Sequence, residues 1–260
     1  MRIATWNVNS LRARLQLVLE WLSHDGPDVV CLQETKVTDD VFPFAPLTDL
    51  GYEVVYTGQK TYNGVAILSR QPLSDVVTTL PEAPGDDEKR FIAATIQGVR
   101  VINIYVPNGQ EVGSEKFHYK LSWLDCLQSY LAATYTPDDM LLLCGDFNIA
   151  PDERDVYDAE KLDGEILFHP DERAAFTRFI DWGFHDTLRM YQQEAGLYTW
   201  WDYRAAAFRR DLGMRIDHIL VTAPLAARCR GVALERDLRR QTKPSDHIPV
   251  VATFQESSCL

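Results

Sequence analysis

Met140-Leu141-Leu142-Leu143-Cys144-Gly145-Asp146-Phe147-Asn148 decides how this chain is read. Five apolar residues in a row, closed by a glycine, describe a strand buried on both faces. Such a strand has no place for a carboxylate unless that carboxylate has a partner. Asp146 nevertheless stands at its end, and Asn148 follows at a spacing of two. In extended chain, Asp146 and Asn148 then face one side while Phe147 turns into the core.

The same construction recurs along the chain. Asn7 and Asn9 lie where the β-like run Arg2–Trp6 ends, and Glu34 follows Val29-Val30-Cys31-Leu32-Gln33. Asp217 interrupts Ile216 to Val221, and Ser245-Asp246-His247 precedes Ile248-Pro249-Val250. A chain that keeps placing Asn, Asp, Glu or His at strand ends builds one polar pocket from distant segments. Oxygen ligands without thiolates point to Mg²⁺ or Mn²⁺. A carboxylate-bound divalent ion beside a His points to phosphate-ester chemistry. A buried Asp217 accepting from the His247 imidazole would fix its tautomer and raise its pKa. Each residue also has a plainer reading. Glu34 is then a surface group paired with Lys36, Asn7 and Asn9 cap the following helix, His247 is a core histidine, and Tyr105 is a sheet-end aromatic.

The remaining pattern describes alternating layers. Leu11, Leu15, Val18, Leu19 and Leu22 share one helical face, and Ser114 is the N-cap of a long helix. Pro170–Trp182 reads as a helix opened by Pro-Asp-Glu. Strands are expected at 28–32, 52–56, 64–68, 76–80, 91–96, 99–106, 140–144, 198–201, 216–221 and 250–254, with 41–50 as loop or broken helix. Strands and helices do not alternate regularly, and neither GxGxxG nor a Walker A motif is present, so a TIM barrel or Rossmann fold fits poorly. Residues 150–170 are acidic and lack periodicity, as functional or mobile loops do. At 260 residues the expectation is one catalytic domain over 1–255 and a frayed tail at 256–260.

Bulk properties narrow the class. A net charge of −12 excludes a protein that coats nucleic acid nonspecifically, but not an enzyme with a local basic surface. Residues 204–215 carry four Arg, and 236–243 carry three Arg and one Lys. Trp200, Trp201, Tyr203 and Phe208 sit among Arg204, Arg209, Arg210 and Arg215. Aromatics interleaved with Arg stack bases or a bare sugar while Arg holds phosphate, although one of the two Trp fits the core equally well. Five Cys without a CxxC spacing read as reduced structural thiols of a cytoplasmic protein. No targeting segment or membrane span is visible, and there is no GxSxG elbow or Cys/His zinc site.

Eight stretches, in order, resemble the exonuclease III family within the endonuclease/exonuclease/phosphatase superfamily. They are Thr5-Trp6-Asn7-Val8-Asn9, Leu32-Gln33-Glu34-Thr35-Lys36, Asn63-Gly64-Val65-Ala66-Ile67-Leu68-Ser69, Tyr105-Val106-Pro107-Asn108-Gly109, Gly145-Asp146-Phe147-Asn148-Ile149-Ala150-Pro151, Trp200-Trp201-Asp202-Tyr203-Arg204, Arg215-Ile216-Asp217 and Pro244-Ser245-Asp246-His247. The resemblance implies a four-layer α/β sandwich, with two mainly antiparallel sheets face to face and helices outside. It implies Mg²⁺-dependent hydrolysis of DNA phosphodiesters by a monomer. The substrates are duplexes with abasic sites or 3′ ends: cleavage 5′ to the abasic site, 3′→5′ exonuclease action, and removal of blocked 3′ ends. Carried over by motif, Glu34 is the main metal ligand with Asn7 close by, and Asp246 helps hold a metal. Asp146, positioned by Asn148, orients or deprotonates water. His247, supported by Asp217, binds the scissile phosphate, with Tyr105 and Asn108 on the same group. Either Asp146 or His247 is the base.

Two departures qualify the resemblance. The net charge is unusually negative for a DNA enzyme. Ile166-Leu167-Phe168-His169 is bulky where relatives have a loop near the extruded sugar, which would favour 3′-end processing over abasic-site cleavage. Two other functions stay open. One is a binding protein that has lost catalysis, which should lack several site residues. The other is a sister phosphatase or phospholipase, which the Arg-aromatic segment disfavours.

Overall fold

Two strands buried over their whole length anchor two sheets in the computed structural model, which describes residues 1–85 and 88–255. The first sheet holds β1 (Arg2–Asn7), β2 (Val29–Gln33), β3 (Glu53–Thr57), β4 (Val65–Ser69), β11 (Cys229–Leu234) and β12 (Val250–Phe254). The second holds β5 (Ser74–Val77), β6 (Phe91–Ile96), β7 (Val99–Tyr105), β8 (Leu141–Asp146), β9 (Phe184–Asp186) and β10 (Asp217–Thr222). Their orders are β11-β12-β1-β2-β4-β3 and β5-β6-β7-β8-β10-β9. Neighbours are antiparallel except for one parallel pair in each sheet, β1/β2 and β7/β8.

Parallel neighbours need a crossover, and a helix supplies each one. These are α1 (Leu11–Asp25) and, after the short α2 (Phe44–Thr48), α3 (Glu115–Thr134); α1 and α3 start from Ser10 and Ser114 side-chain caps. Val18, Trp21 and Leu22 of α1 pack on Val30 and Leu32 of β2. Leu124, Leu127 and Leu131 of α3 pack on Leu141 and Leu143 of β8, beside Phe176 and Phe179 of a later helix, Pro170–Trp182. The alternate residues of the same strands, Val29 and Cys31 against Leu142 and Cys144, fill the space between the sheets. Apolar runs without alternation are thus strands with a helix on one face and a sheet on the other, and the layers read helix, sheet, sheet, helix.

Each inward-facing series turns polar toward one rim. It runs Ile3, Thr5, Asn7 on β1 and Val29, Cys31, Gln33 on β2. On β7 it runs Val101, Asn103, Tyr105, and on β8 Leu142, Cys144, Asp146. Just below the rim, Gln33 Nε2 donates to Thr5 Oγ1 (2.9 Å) and Asn103 Oδ1 (2.7 Å). Asn103 Nδ2 in turn donates to the Leu32 and Ala66 carbonyls, both at 2.9 Å. The sheets are therefore tied by side-chain amides where their polar ends begin.

Several elements depart from expectation. The strand at 76–80 lies instead at Ser74–Val77, and β9 and β11 had no counterpart in the sequence reading. Residues 198–201 form no strand, because Trp200 makes only isolated bridges, to Met214 and His247. The acidic stretch after 150 is anchored by a buried residue, Asp155, which accepts from Arg215 and Arg189. The expected tail at 256–260 lies outside the described residues. Among the described residues, no helix is long and apolar enough to cross a membrane.

Candidate active site

Strand direction gathers the site. Parallel β1 and β2 end at the same rim as parallel β7 and β8. Antiparallel β10 begins there, with Asp217 opposite Asp146, and β12 begins three residues after His247. Crevices at the carboxyl ends of parallel strands are where layered α/β sheets bind ligands.

Asn7 sits at the centre. Its Nδ2 donates to Glu34 Oε1 and to Asp146 Oδ2, both at 2.8 Å, joining carboxylates from the two sheets. Its Oδ1 accepts from Asn9 N at 2.9 Å, so the amide nitrogen is the end that faces the carboxylates. The Asn7 amide nitrogen thereby orients both carboxylates. Glu34 leaves β2 in a left-handed conformation (φ 52°), and Lys36 repeats it. Hydrogen bonds from Thr35 N to Gly64 O (3.1 Å) and from Lys36 N to Asn63 O (2.9 Å) hold this turn. Gly64 has to be glycine, since a Cβ would come 2.1 Å from Thr35 Oγ1. Lys36 Nζ meets Glu34 Oε2 at 2.6 Å, so the plain ion pair and the inward-facing carboxylate oxygen coexist.

Asp146 accepts from Asn148 N at 2.9 Å. The Asn148 side chain was expected to hold that carboxylate, but the main chain does so, because Asn148 turns left-handed (φ 51°). Its side chain instead donates to Val106 O (3.0 Å) and accepts from Asn108 Nδ2 (3.0 Å). Burial raises the Asp146 pKa, as do the charges of Asp217 and Glu34, against the opposing effects of His247 and the Asn7 hydrogen bond.

His247 Nδ1 lies 2.9 Å from Asp217 Oδ2 and 3.1 Å from Oδ1, the pairing read from the sequence. Its Nε2 points back to Asp146 Oδ2 at 3.8 Å. Burial opposes charge on the ring, yet Asp217 and then Asp146 outweigh it and raise the pKa. Burial, then the charges of Glu34 and Asp146, push the Tyr105 hydroxyl well above its usual range. The guanidinium of Arg90 stacks on the Tyr105 ring at 4.7 Å.

Oxygen-rich donors and excess negative charge fit a hard cation. Glu34, Asp146 and His247 each offer a ligand atom within 4.8 Å of the others. Asp246, expected as a further metal ligand, stands outside this group. Its Oδ1 accepts from Asn9 Nδ2 (2.9 Å) and its Oδ2 from Trp200 Nε1 (3.1 Å). Burial would raise its pKa, but His247 and these two donors lower it.

Two cavities border Tyr105 and Trp200. One, of about 380 Å³, is lined by Tyr62, Arg90, Tyr105, Asn108 and Lys116. The other, of about 470 Å³, is lined by Ile166, Leu167, Trp200, Leu212 and Met214, with Arg204 at its edge. Arg204, Arg209 and Arg210 are exposed, as a phosphate-binding role requires, and Trp200 is half-buried beside His247. Trp201 is a core residue. Arg215 corrects the expectation of a DNA contact. It is buried, donating to Asp155 from Nε (2.6 Å) and Nη2 (3.0 Å) and to Asp186 from Nη1 (2.7 Å). Sequence reasoning did not single out Arg90, whose only signal is the Lys89-Arg90 pair before β6.

Known proteins resemble this chain over nearly its whole length. The Endonuclease/Exonuclease/phosphatase family model matches residues 4–247. Exodeoxyribonuclease III of Haemophilus influenzae is 36% identical, covering 98% of this chain and 100% of that protein. The 3′ phosphatase NExo from Neisseria, solved with a product DNA hairpin, superposes with a TM-score of 0.94 at 46% identity, over 98% of this chain and 100% of that one. An AP endonuclease from Archaeoglobus fulgidus gives 0.93 at 43%, with the same coverage.

Arg215→Ala should lower the unfolding free energy by about 3–5 kcal/mol, because it strips a guanidinium from the buried Asp155 and the half-buried Asp186. Arg209→Ala, at an exposed position, should stay within about 0.5 kcal/mol. Urea unfolding of both variants decides the assignment, and equal small losses would return Arg215 to the surface set.

Proposed function

The chain belongs to the exonuclease III family of endonuclease/exonuclease/phosphatase proteins, and from that membership we propose that this DNA repair nuclease uses Mg²⁺ to hydrolyse phosphate esters at 3′ ends and abasic sites of duplex DNA. The carrying observation is the Asn7 amide that holds Glu34 and Asp146 together beside an imidazole braced by Asp217. Retention of all these groups disfavours a binding protein that has lost catalysis. Bound Mg²⁺ (or Mn²⁺), held by Glu34 with Asp146 in reach, supplies positive charge to the phosphate.

The chain's own residues do the rest. His247, kept protonated by Asp217, neutralises a non-bridging phosphate oxygen through Nε2. That leaves Asp146 as the base. It is a buried carboxylate with raised proton affinity, and Asn7 and the Asn148 main chain set its direction, so it takes the proton of the attacking water. Tyr105, held protonated by burial and neighbouring carboxylates, donates its hydroxyl hydrogen to the phosphate. Asn108, fixed against Asn148, offers its amide to the same group. Arg204, Arg209 and Arg210 meet the backbone beyond the site, a local basic track on an acidic protein, so binding should weaken steeply with salt. Free buried thiols at Cys31, Cys144 and Cys229 suit a reducing cytoplasm.

The finer reading favours 3′-end processing. Leu167 and Phe168 pack inward against Val156, Met214 and Ile216, and Ile166 borders the cavity beside Trp200. Ile166 and Leu167, which line that cavity, would narrow the room for a bare internal sugar. The NExo structure, a 3′ phosphatase, supports this reading, and the Archaeoglobus AP endonuclease keeps the alternative in play.

Chelation should abolish cleavage of a duplex carrying a 3′ phosphate, and added Mg²⁺ should restore it. Glu34→Ala and Asp146→Asn should each lower kcat at least roughly 10²–10³-fold without loss of fold; wild-type turnover in either would overturn that residue's role. His247 needs its proton and owes its raised pKa to Asp217. The alkaline fall in kcat should therefore move to lower pH in Asp217→Asn, and an unmoved limb would exclude His247 as the cationic group. Gel assays should show fast trimming of a 3′ phosphate or recessed end and slow incision at an internal abasic site; efficient internal incision would rule out the end-processing preference.

A further inference from the structure

Lys120 is fully buried, and the reaction just described does not use it. It lies on α3, beneath the loop that carries Asn108. Its Nζ donates to the carbonyls of Asn148 (2.6 Å) and Asn108 (3.2 Å) and makes a short ion pair with Glu172. All three ammonium protons are thus used. Glu172 is equally buried, and its other oxygen accepts from His169 N (3.0 Å) at the start of the helix Pro170–Trp182. The loop rests on the lysine stem: a Cβ on Gly109 would lie 3.2 Å from Lys120 Cδ.

We propose that Lys120 is a positioning residue for phosphate hydrolysis, clamping the main-chain carbonyls of Asn108 and Asn148 so that their paired side chains and the Asp146 carboxylate keep their register. The inference rests on the functional reading above. Its physical basis is the choice of a charge where α3 and the helix 170–182 otherwise pack through Leu124, Leu127, Ala175 and Phe176. A buried ion pair is weak evidence for stability alone, since apolar pairs of similar volume often do as well or better. An apolar pair cannot satisfy two carbonyls that point at one spot, the buried one of Asn148 and the half-buried one of Asn108. The left-handed turn at Asn148 aims its carbonyl down at Lys120 while its N–H reaches up to Asp146. One ammonium therefore reaches the base through a single residue, and Asn108 Nδ2 reaches the same residue at 3.0 Å.

The test compares Lys120→Met with the double variant Lys120→Met, Glu172→Met. Thermal unfolding, kcat and KM on a 3′-phosphate duplex, and NMR exchange of the Asn108 and Asn148 side-chain amides without DNA are measured for each. The single variant should lose stability and the double variant should regain the part lost by stranding the Glu172 carboxylate. In the double variant, kcat should stay at least about tenfold low, with KM nearly unchanged, and amide exchange should be at least about tenfold faster than in the wild type. Wild-type kcat or wild-type exchange in a stable double variant would overturn the proposal. So would failure of the double variant to regain stability, which would place the role of Lys120 in folding. A wild-type protein inactive on the duplex would count against the functional reading, while amide exchange would still decide the role of Lys120.

Discussion

Two hydrogen bonds from one side-chain amide hold this site together. Asn7 donates to Glu34 and to Asp146, and the two carboxylates come from different sheets. Left alone, buried like charges repel, and each also loses its hydration. The amide dipole eases both problems without adding a charge, so a demand for positive charge remains. Burial first, and then the charges of Asp217 and Glu34, raise the proton affinity of Asp146. A phosphate-processing site needs oxygen donors fixed in place beside an imidazolium that Asp217 keeps charged.

The sheets make this arrangement possible by a simple rule. Inward-facing residues are apolar along most of each strand and polar at one end. Because β1/β2 and β7/β8 are the parallel pairs, their polar ends fall at one rim, and the antiparallel partners deliver Asp217 and His247 to it. Gln33, Thr5 and Asn103 form the boundary layer, so the change from dry core to polar site happens within one residue step. Backbone strain gathers at the same rim: Asn9, Ser10, Glu34, Lys36, Asn63 and Asn148 all have positive φ. Such conformers cost on the order of 1–3 kcal/mol each and persist where surrounding contacts hold them.

Much of this was legible in the sequence because strand period and burial are local. The run at Met140–Cys144, the helix Pro170–Trp182 and the Ser114 cap stand where pattern and capping chemistry put them. The Asp217–His247 pair was legible too, since a carboxylate inside an apolar strand demands a partner. What failed depends on which way a group points. Arg215 sits among exposed arginines in sequence, but the chain carries it inward to Asp155 and Asp186. Asn148 reaches Asp146 through its main chain because its φ is positive, which side-chain spacing does not reveal. Asp246 is spent on Asn9 and Trp200, partners 237 and 46 residues away. Lys120 lies on a helix face that reads as ordinary until the loops above it are in place.

The proposed cation site is Glu34, with Asp146 in reach across the Asn7 bridge. Anomalous diffraction from crystals soaked in Mn²⁺ tests it most directly. A peak is expected within bonding distance of Glu34. A peak only at Asp246, or none near Glu34 with Mn²⁺ bound elsewhere, would contradict it.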